Sequence, residues 1–180
     1  MRHPFIIGKL VYLRGVEEDD LEGDYFQWFN DQENDVYTNH AVWPNTPEKM
    51  REFYNKEIQL NNDNIILAII VQDGDKHIGN ISLNHINWID RHARLNIIIG
   101  DKEAHSKGYG TEAIRLLVDY GFNKLNLHRI GLGVHENNKA AIRAYEKAGF
   151  LVEGRYKDNF FRNGKYSDTI CMAILNESTD

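Results

Sequence analysis

A glycine-containing loop between a strand-like run and an amphipathic helix constrains this chain more than any other feature. The loop is the segment 105–111, His-Ser-Lys-Gly-Tyr-Gly-Thr. A strand-like run, Leu-Asn-Ile-Ile-Ile at 95–99, precedes it, and apolar residues at the spacing of one helical face follow it. Gly108 and Gly110 permit a tight turn and the close approach of a ligand. Because the first helical turn presents unpaired N–H groups and a positive dipole end, the pattern predicts a phosphate or pyrophosphate site.

Two common phosphate-binding loops are excluded. The chain has no G-x-x-x-x-G-K-[ST], which excludes a nucleotide-hydrolase P-loop. It also lacks a G-x-G-x-x-G followed about 20 residues later by a ribose-binding acid, which argues against a dinucleotide-binding fold. Taken alone, Gly108 and Gly110 fit either a ligand-binding loop or an ordinary turn.

A second motif, 136–150, reads E-N-N-K-A-A-I-R-A-Y-E-K-A-G-F. Asn137 or Asn138 is suited to cap a helix, and Gly149 to end it before a strand begins at Phe150. The predicted buried face of this helix comprises Ala141, Ile142, Tyr145 and Ala148.

The two motifs, in this order, resemble those of the GCN5-related N-acetyltransferases, the GNAT family. That family has a Q/R-x-x-G-x-G/A pyrophosphate loop, then a strand, then N-x-x-A-x-x-x-Y-x-x-x-G-F. Here the loop begins at His105 and the second motif runs from Asn138 to Phe150. His105 departs from the usual Gln or Arg but leaves the backbone N–H cradle intact. The resemblance covers nearly the whole chain.

The resemblance implies direct acetyl transfer from acetyl-CoA to a primary amine, without a metal. The loop would bind the pyrophosphate, and the backbone of the preceding strand would pair with pantetheine and supply an oxyanion donor. Asn138 would lie near the CoA arm. The residues expected to bind acetyl-CoA are Ile97, Ile98, Ile99, His105, Ser106, Lys107, Gly108, Tyr109, Gly110, Thr111 and Asn138.

Tyr145 is the expected catalytic residue, because the family's tyrosine at this position points at the CoA sulfur. A phenol with a pKa near 10 stays protonated at neutral pH and can protonate a leaving thiolate. Cys171 lies in an apolar run and is expected to be an unreactive core thiol. The base that deprotonates the amine is left open between a water chain and four side chains. These are His85, Asp90, His92 and His135.

The acceptor is expected to be a small polar amine or a peptide N-terminus. The C-terminal half resembles ribosomal-protein and spermidine N-acetyltransferase-like members, but Ser82, His85 and Arg94 stand where the spermidine enzymes carry carboxylates. This counts against a polyamine without excluding it. The region around Trp28 also resembles acetyltransferases acting on nucleotide-linked amino sugars. Substrate contacts are therefore expected at Trp28, His85 and Arg94, and a non-catalytic acyl-CoA-binding sensor remains the alternative of another class.

Composition sets the remaining expectations. The 180 residues suit a single domain, 1–180, and a net charge of −6 argues against nucleic-acid binding. No apolar stretch is long enough to span a membrane, and a lone cysteine makes no internal disulfide, so a cytoplasmic location is expected. The sequence leaves open whether the chain forms a homodimer.

The predicted fold is an α/β (α+β) domain with a mixed, mostly antiparallel sheet flanked by helices, in the order β-α-α-β-β-β-α-β-α-β-β. Helices are expected from Glu17 to about Phe29 and from Thr46 to about Leu60. Asn163-Gly164 predicts a hairpin between the last two strands. The other predicted strands are 9–14, 65–72, 77–87, 91–100 and 128–135.

Overall fold

Eight strands form one sheet in a computed structural model of the chain, which describes residues 1–33, 36–38, 42–61 and 63–177. The spatial order is β1-β2-β3-β4-β5-β6-β8-β7. Every neighbouring pair is antiparallel except β5 and β6, which are parallel. The strands are β1 (Ile6–Ile7), β2 (Val11–Gly15), β3 (Ile65–Val71), β4 (Lys76–Asn87), β5 (His92–Ile99), β6 (Arg129–His135), β7 (Leu151–Arg162) and β8 (Lys165–Leu175).

Helices cover both faces of the sheet. They are α1 (Asp24–Trp28), α2 (Pro47–Phe53), α3 (Tyr109–Asn123) and α4 (Lys139–Lys147). Short 3₁₀ turns lie at Glu18–Glu22 and Lys102–Ala104, and α2 continues as a π-helical turn, Tyr54–Gln59. The predicted fold class and element order are confirmed, with β1 as an additional short strand. No helix in these ranges is both long and apolar enough to cross a membrane.

The alternation of side chains along the strands builds two cores. On one face, residues such as Leu83 and Leu95 pack with Leu117 of α3 and Tyr145 of α4. On the other face, the smaller core formed with α1 and α2 contains Tyr12, Trp28, Met50 and Ile70. Successive side chains of β5 point alternately to the α3–α4 face and to the α1–α2 face, so this strand contributes to both cores.

The first predicted helix, Glu17 to Phe29, is interrupted in the structure. Gly23 has extended backbone angles, φ −93° and ψ −156°, and separates the 3₁₀ turn from α1. Glycine carries no Cβ to bias it toward helix, so the chain bends there at little cost. The second helix begins as predicted, since the Thr46 hydroxyl accepts a hydrogen bond from the Lys49 N–H at 3.3 Å. The Asn163-Gly164 hairpin is also confirmed, with φ of 50° and 77° at the two residues.

Strands β5 and β6 separate from each other halfway along their length. Their pairing comprises His92 with Arg129, Ala93 with Ile130 and Arg94 with Gly131. Beyond Arg94, β5 continues for five residues to Ile99, and β6 continues from Gly131 to His135 without pairing to it. The sheet therefore opens as a wedge whose wide end lies beside the 105–111 loop.

Candidate active site

The loop before α3 has the geometry of an anion site. Gly108 is the N-cap residue of α3, in the left-handed region with φ 85° and ψ −7°. No side chain caps this helix end, so the N–H groups of the first turn have no partner within the helix. Ser106, Lys107 and Gly108 are exposed. Backbone donors at the positive end of the helix dipole are thus open to a phosphate.

Gly110 has no structural need to be glycine. A Cβ built on it would meet Ile99 Cγ1 at 3.6 Å and Ile97 Cδ1 at 3.8 Å, which are ordinary contacts. The left-handed angles that favour glycine at Gly108 do not occur here. Glycine in a helix costs about 0.5–1 kcal/mol relative to alanine. The packing of the chain itself therefore gives no reason for glycine at this position.

His105 fastens the loop to the end of β5. Its Nε2 lies 2.8 Å from the Ile99 carbonyl oxygen, and because a carbonyl accepts, Nε2 carries the hydrogen. The ring therefore holds the loop against the end of β5, and the backbone N–H groups after Gly108 stay exposed.

Glu112 is a further supporting residue, which the sequence analysis did not identify. Its carboxylate accepts hydrogen bonds from the backbone N–H groups of Lys9, Leu10 and Val11 at 2.8, 2.8 and 2.9 Å. The first turn of α3 is thereby tied to the start of β2. No local pattern in the sequence links residues a hundred positions apart, so only the tertiary structure shows this contact.

The open wedge exposes backbone on the β5 edge over residues 95–99, which include the predicted pantetheine-binding Ile97, Ile98 and Ile99. The unpaired edge of β5 can accept one more extended segment as an added strand. Asn138 stands at the start of α4, across the wedge, and its Oδ1 accepts the Ala141 N–H at 3.1 Å. The predicted capping role of Asn138 is confirmed, and its amide nitrogen remains available to a ligand.

Tyr145 lies on the buried face of α4 and is 7% exposed. Its ring packs beside Phe150, with a centroid separation of 5.8 Å. Burial is the cause that raises the pKa of the Tyr145 phenol to about 12. The hydroxyl therefore stays protonated far above neutral pH.

The α1–α2 face of the wedge is polar and carries no carboxylate at its strand positions. Ser82 of β4 stands opposite Asn96 of β5, and Asn84 stands opposite Arg94. Ser82 is buried at 8% exposure, and the buried Asn84 Oδ1 has no hydrogen-bond partner. On β6 the same face presents Gly131, Gly133 and His135. Toward the wide end, these positions offer neutral donors and acceptors together with the Arg94 cation.

The Arg94 guanidinium reaches across the wedge to β6. Its Nη2 lies 3.7 Å from the position that a Cβ on Gly133 would occupy. Among the described residues, no carboxylate pairs with Arg94, which is exposed. The predicted substrate residue Arg94 thus lies beside the wedge, on the same surface as Ser82.

Of the four side chains proposed as the base, His135 lies at the wide end of the wedge. The last β5–β6 pair is Arg94 with Gly131, and four residues further along each strand lie Ile98 and His135. The ring is 8% exposed, between Tyr37 at 5.2 Å and Phe160 at 4.6 Å. Nδ1 accepts the Asn137 N–H at 3.1 Å. Burial lowers the pKa of His135, so the ring is neutral at pH 7 and its hydrogen is on Nε2.

The other proposed bases lie toward the opposite end of the strands. His92 pairs with Asn87 and Arg129 at the closed end, and Asp90 accepts a hydrogen bond from the Asn87 amide in the β4–β5 turn. His85 is exposed, has a left-handed φ of 53°, and lines a separate cavity of 610 Å³ with Glu57, Asp63 and Trp88. The structure does not bring these residues to the wide end of the wedge.

Trp28 is a core residue of the α1–α2 face. It is 6% exposed, and its ring packs on Gly100 so closely that a Cβ there has no room. It also contacts His77 edge to face, with a centroid separation of 5.0 Å. Its place in the core supports the end of β5 rather than opening toward solvent.

Comparison with known proteins gives one consistent family. The model for the acetyltransferase (GNAT) domain matches residues 11–151. Spermidine N(1)-acetyltransferase of Vibrio cholerae is 36% identical over 168 residues, covering 91% of each chain. A probable N-acetyltransferase of Bacillus subtilis, YjcK, is 35% identical and covers 94% of this chain and 96% of its own.

Solved structures agree with this result. The crystal structure of Vibrio cholerae spermidine N-acetyltransferase in complex with CoA and spermine has a TM-score of 0.85 and 33% identity, covering 93% of this chain and 96% of that one. A dodecameric structure of the Vibrio enzyme has a TM-score of 0.77 at the same identity, with 93% and 95% covered.

Proposed function

Since the chain belongs to the GNAT family of N-acetyltransferases, which use acetyl-CoA, we propose that its acceptor is the primary amine of a small polar molecule or a peptide N-terminus. The family relatives are acetyltransferases, which decides against the non-catalytic acyl-CoA sensor. The transfer is direct, from the thioester to the amine, without an acyl-enzyme.

The observation that carries this proposal is the wedge between β5 and β6 beside the uncapped start of α3. Pantetheine pairs with the exposed edge of β5, and the pyrophosphate takes the N–H groups that follow Gly108. An N–H of the 97–99 segment lies along the thioester and stabilises the oxygen as charge develops on it.

Tyr145 supplies the hydrogen for the leaving sulfur. Its raised pKa keeps the phenol protonated, so it can donate to the developing thiolate at any physiological pH. The amine must lose its own proton before attack, because an ammonium has no lone pair. We assign this step to a water chain, since the Nδ1 lone pair of His135 is already occupied by the Asn137 N–H.

The acceptor surface supports an amine on a neutral or anionic body. The β4 and β5 positions that face the acceptor carry asparagine, serine and Arg94, and a guanidinium beside the wedge repels a second ammonium. A polyamine is the second candidate, favoured by the 36% identity to the Vibrio cholerae enzyme.

An amine panel with detection of released thiol tests the proposal. The panel contains short peptides with free N-termini, an aminoglycoside, a nucleotide-linked amino sugar, spermidine and spermine. We expect a peptide or amino sugar to give the highest kcat/KM. Spermidine as the best acceptor, with a low-micromolar KM, would overturn the acceptor assignment. Thiol release that no amine accelerates would overturn the function itself.

Self-association and a cytoplasmic location complete the proposal. The single cysteine, Cys171, makes no internal disulfide and suits a reducing compartment. The outer edge of β7 pairs with no strand of the described chain. Exposed apolar side chains along this hairpin suit contact with a second copy. They are Leu151, Val152, Tyr156, Phe161 and Tyr166.

A further inference from the structure

We infer that Arg94 and His135 form a subsite for an oxygen of the acceptor, a carboxylate or carbonyl placed close to the reactive amine. This inference rests on the proposed function and adds the two residues that determine acceptor specificity.

Arg94 and His135 lie on one surface. Gly131, Gly133 and His135 alternate onto the same face of β6, and Arg94 extends over Gly133 from β5. Residues two apart on a strand are separated by about 6.6 Å. A carboxylate is wide enough to span the gap between the guanidinium and the imidazole when each donates one hydrogen bond.

The backbone between Arg94 and His135 carries no side chain at Gly133. A Cβ on Gly133 would lie 3.0 Å from Thr169 Cγ2 and 3.7 Å from Arg94 Nη2. Such a Cβ would fill the space directly beneath the guanidinium. With glycine at this position, a small group of the acceptor can rest on the strand between the two donors.

One hydrogen bond fixes the tautomer of His135. A backbone N–H can only donate, so the Asn137 N–H requires a lone pair on Nδ1 and leaves the hydrogen on Nε2. Nε2 has no hydrogen-bond partner among the described residues, and it is not one of the fully enclosed polar atoms. The rings of Tyr37 and Phe160 hold the imidazole in this orientation. His135 is therefore a preorganised donor to an oxygen and not a base.

The charge balance fits an oxygen-bearing acceptor. Arg94 has no carboxylate partner within the described ranges, whereas the nearby Arg155 is paired with Glu136 and Asp168. An anionic or carbonyl oxygen would supply the partner that the chain does not give Arg94.

Three matched probes test the subsite: L-alanine, L-alaninamide and isopropylamine. They share the same amine-bearing carbon and differ in one substituent, which is a carboxylate, an amide or a methyl group. The measurement is kcat/KM for each probe, by thiol release at saturating acetyl-CoA, expressed per unprotonated amine because the three amines differ in basicity. We expect both oxygen-bearing probes to exceed isopropylamine by about 10-fold or more, which corresponds to about 1.4 kcal/mol.

Two variants assign the preference to the residues. Because a guanidinium binds a carboxylate more strongly than a neutral amide, L-alanine should exceed L-alaninamide in the wild type, and Arg94→Gln should remove this advantage. His135→Phe should reduce the advantage of both probes over isopropylamine. Phenylalanine keeps the ring contacts with Tyr37 and Phe160. In both variants KM should rise more for the oxygen-bearing probes than for isopropylamine.

The outcomes are distinguishable. Calorimetry showing unchanged acetyl-CoA affinity verifies that each variant is folded. Equal kcat/KM for the three probes in the wild type, or a preference that survives both substitutions, would overturn the subsite while leaving the acetyltransferase function intact. If neither these probes nor the wider amine panel accelerates thiol release, the proposed function fails and the subsite fails with it.

Discussion

The ring and the hydroxyl of Tyr145 serve different purposes, and one substitution separates them. Tyr145→Phe keeps the packing beside Phe150 and removes only the phenol oxygen. General acid catalysis contributes about 10²–10⁴ in rate, so kcat should fall within roughly that range while acetyl-CoA affinity is retained. A pKa of about 12 is far from the optimum for proton transfer at neutral pH, so we expect the lower part of the range.

Stopped-flow measurement of thiol release checks this prediction, because the first turnover reports chemistry even when product release is slow. The pH profile is a second check. Since the phenol is protonated until the pH approaches 12, the wild-type rate should show no loss from Tyr145 between pH 7 and pH 10. Near-wild-type chemistry in Tyr145→Phe would mean that the tyrosine only packs and that water protonates the sulfur.

Substitution of Gly110 should weaken ligand binding without impairing folding. Gly110→Ala places a methyl group where the chain itself has room, so the free energy of unfolding should be unchanged or higher by up to about 1 kcal/mol. The same methyl group would meet the pyrophosphate, so acetyl-CoA should bind about 10-fold more weakly, or worse with Gly110→Val. Gly15→Ala is the matched control, since nothing lies within 4 Å of its added Cβ. Unchanged affinity in both Gly110 variants, measured by calorimetry, would contradict the placement of the pyrophosphate.

At the scale of elements, one carboxylate holds the start of α3 against β2. Glu112 accepts three backbone hydrogen bonds, and hydrogen bonds to charged groups contribute about 1.5–3 kcal/mol each. Glu112 is partly exposed, so water compensates some of the loss. We expect Glu112→Ala to lower the free energy of unfolding by about 2–4 kcal/mol, and Glu112→Gln to cost less because its amide oxygen still accepts.

Urea denaturation measures this effect, and an exposed glutamate on another helix provides the control. Glu48→Ala removes an exposed carboxylate from the first turn of α2 and should lower the free energy of unfolding clearly less than Glu112→Ala does. Equal losses in the Glu112 and Glu48 variants would show that the tie between α3 and β2 contributes little to stability.

The elements differ in how far the sequence determines them. The hairpin at Asn163-Gly164 and the cap at Thr46 depend on neighbouring residues, and both were predictable from local chemistry. Gly23 was visible in the sequence, but its effect depended on whether tertiary packing would let the helix continue. The positions of Trp28 and His85 required the register of distant strands, because composition alone does not distinguish a core tryptophan from a binding one.

The candidate site also combines features that the sequence shows with features that only the tertiary structure shows. The loop at 105–111 and the Asn138–Phe150 motif are contiguous in sequence, so both could be recognised there. The wedge between β5 and β6 forms where two strands stop pairing, and the sequence carries no mark of that point. His135 was one of four equal candidates until the parallel register placed it opposite Ile98 at the wide end.

At the scale of the whole molecule, the outer edge of β7 has no partner strand in the described part of the chain. β7 ends the sheet over twelve residues, and an edge strand with exposed apolar side chains invites pairing with another copy. The wild type should therefore exceed the mass of one 20.9 kDa chain in light scattering at micromolar concentration. Val152→Lys places a charge on this surface and should reduce the mass. Ile89→Lys makes the same kind of change at a position 92% exposed in the β4–β5 turn and should leave the mass unchanged. A monomeric wild type, or an equal response of the two variants, would mean that β7 is a tolerated free edge, protected by its bulges and charged residues.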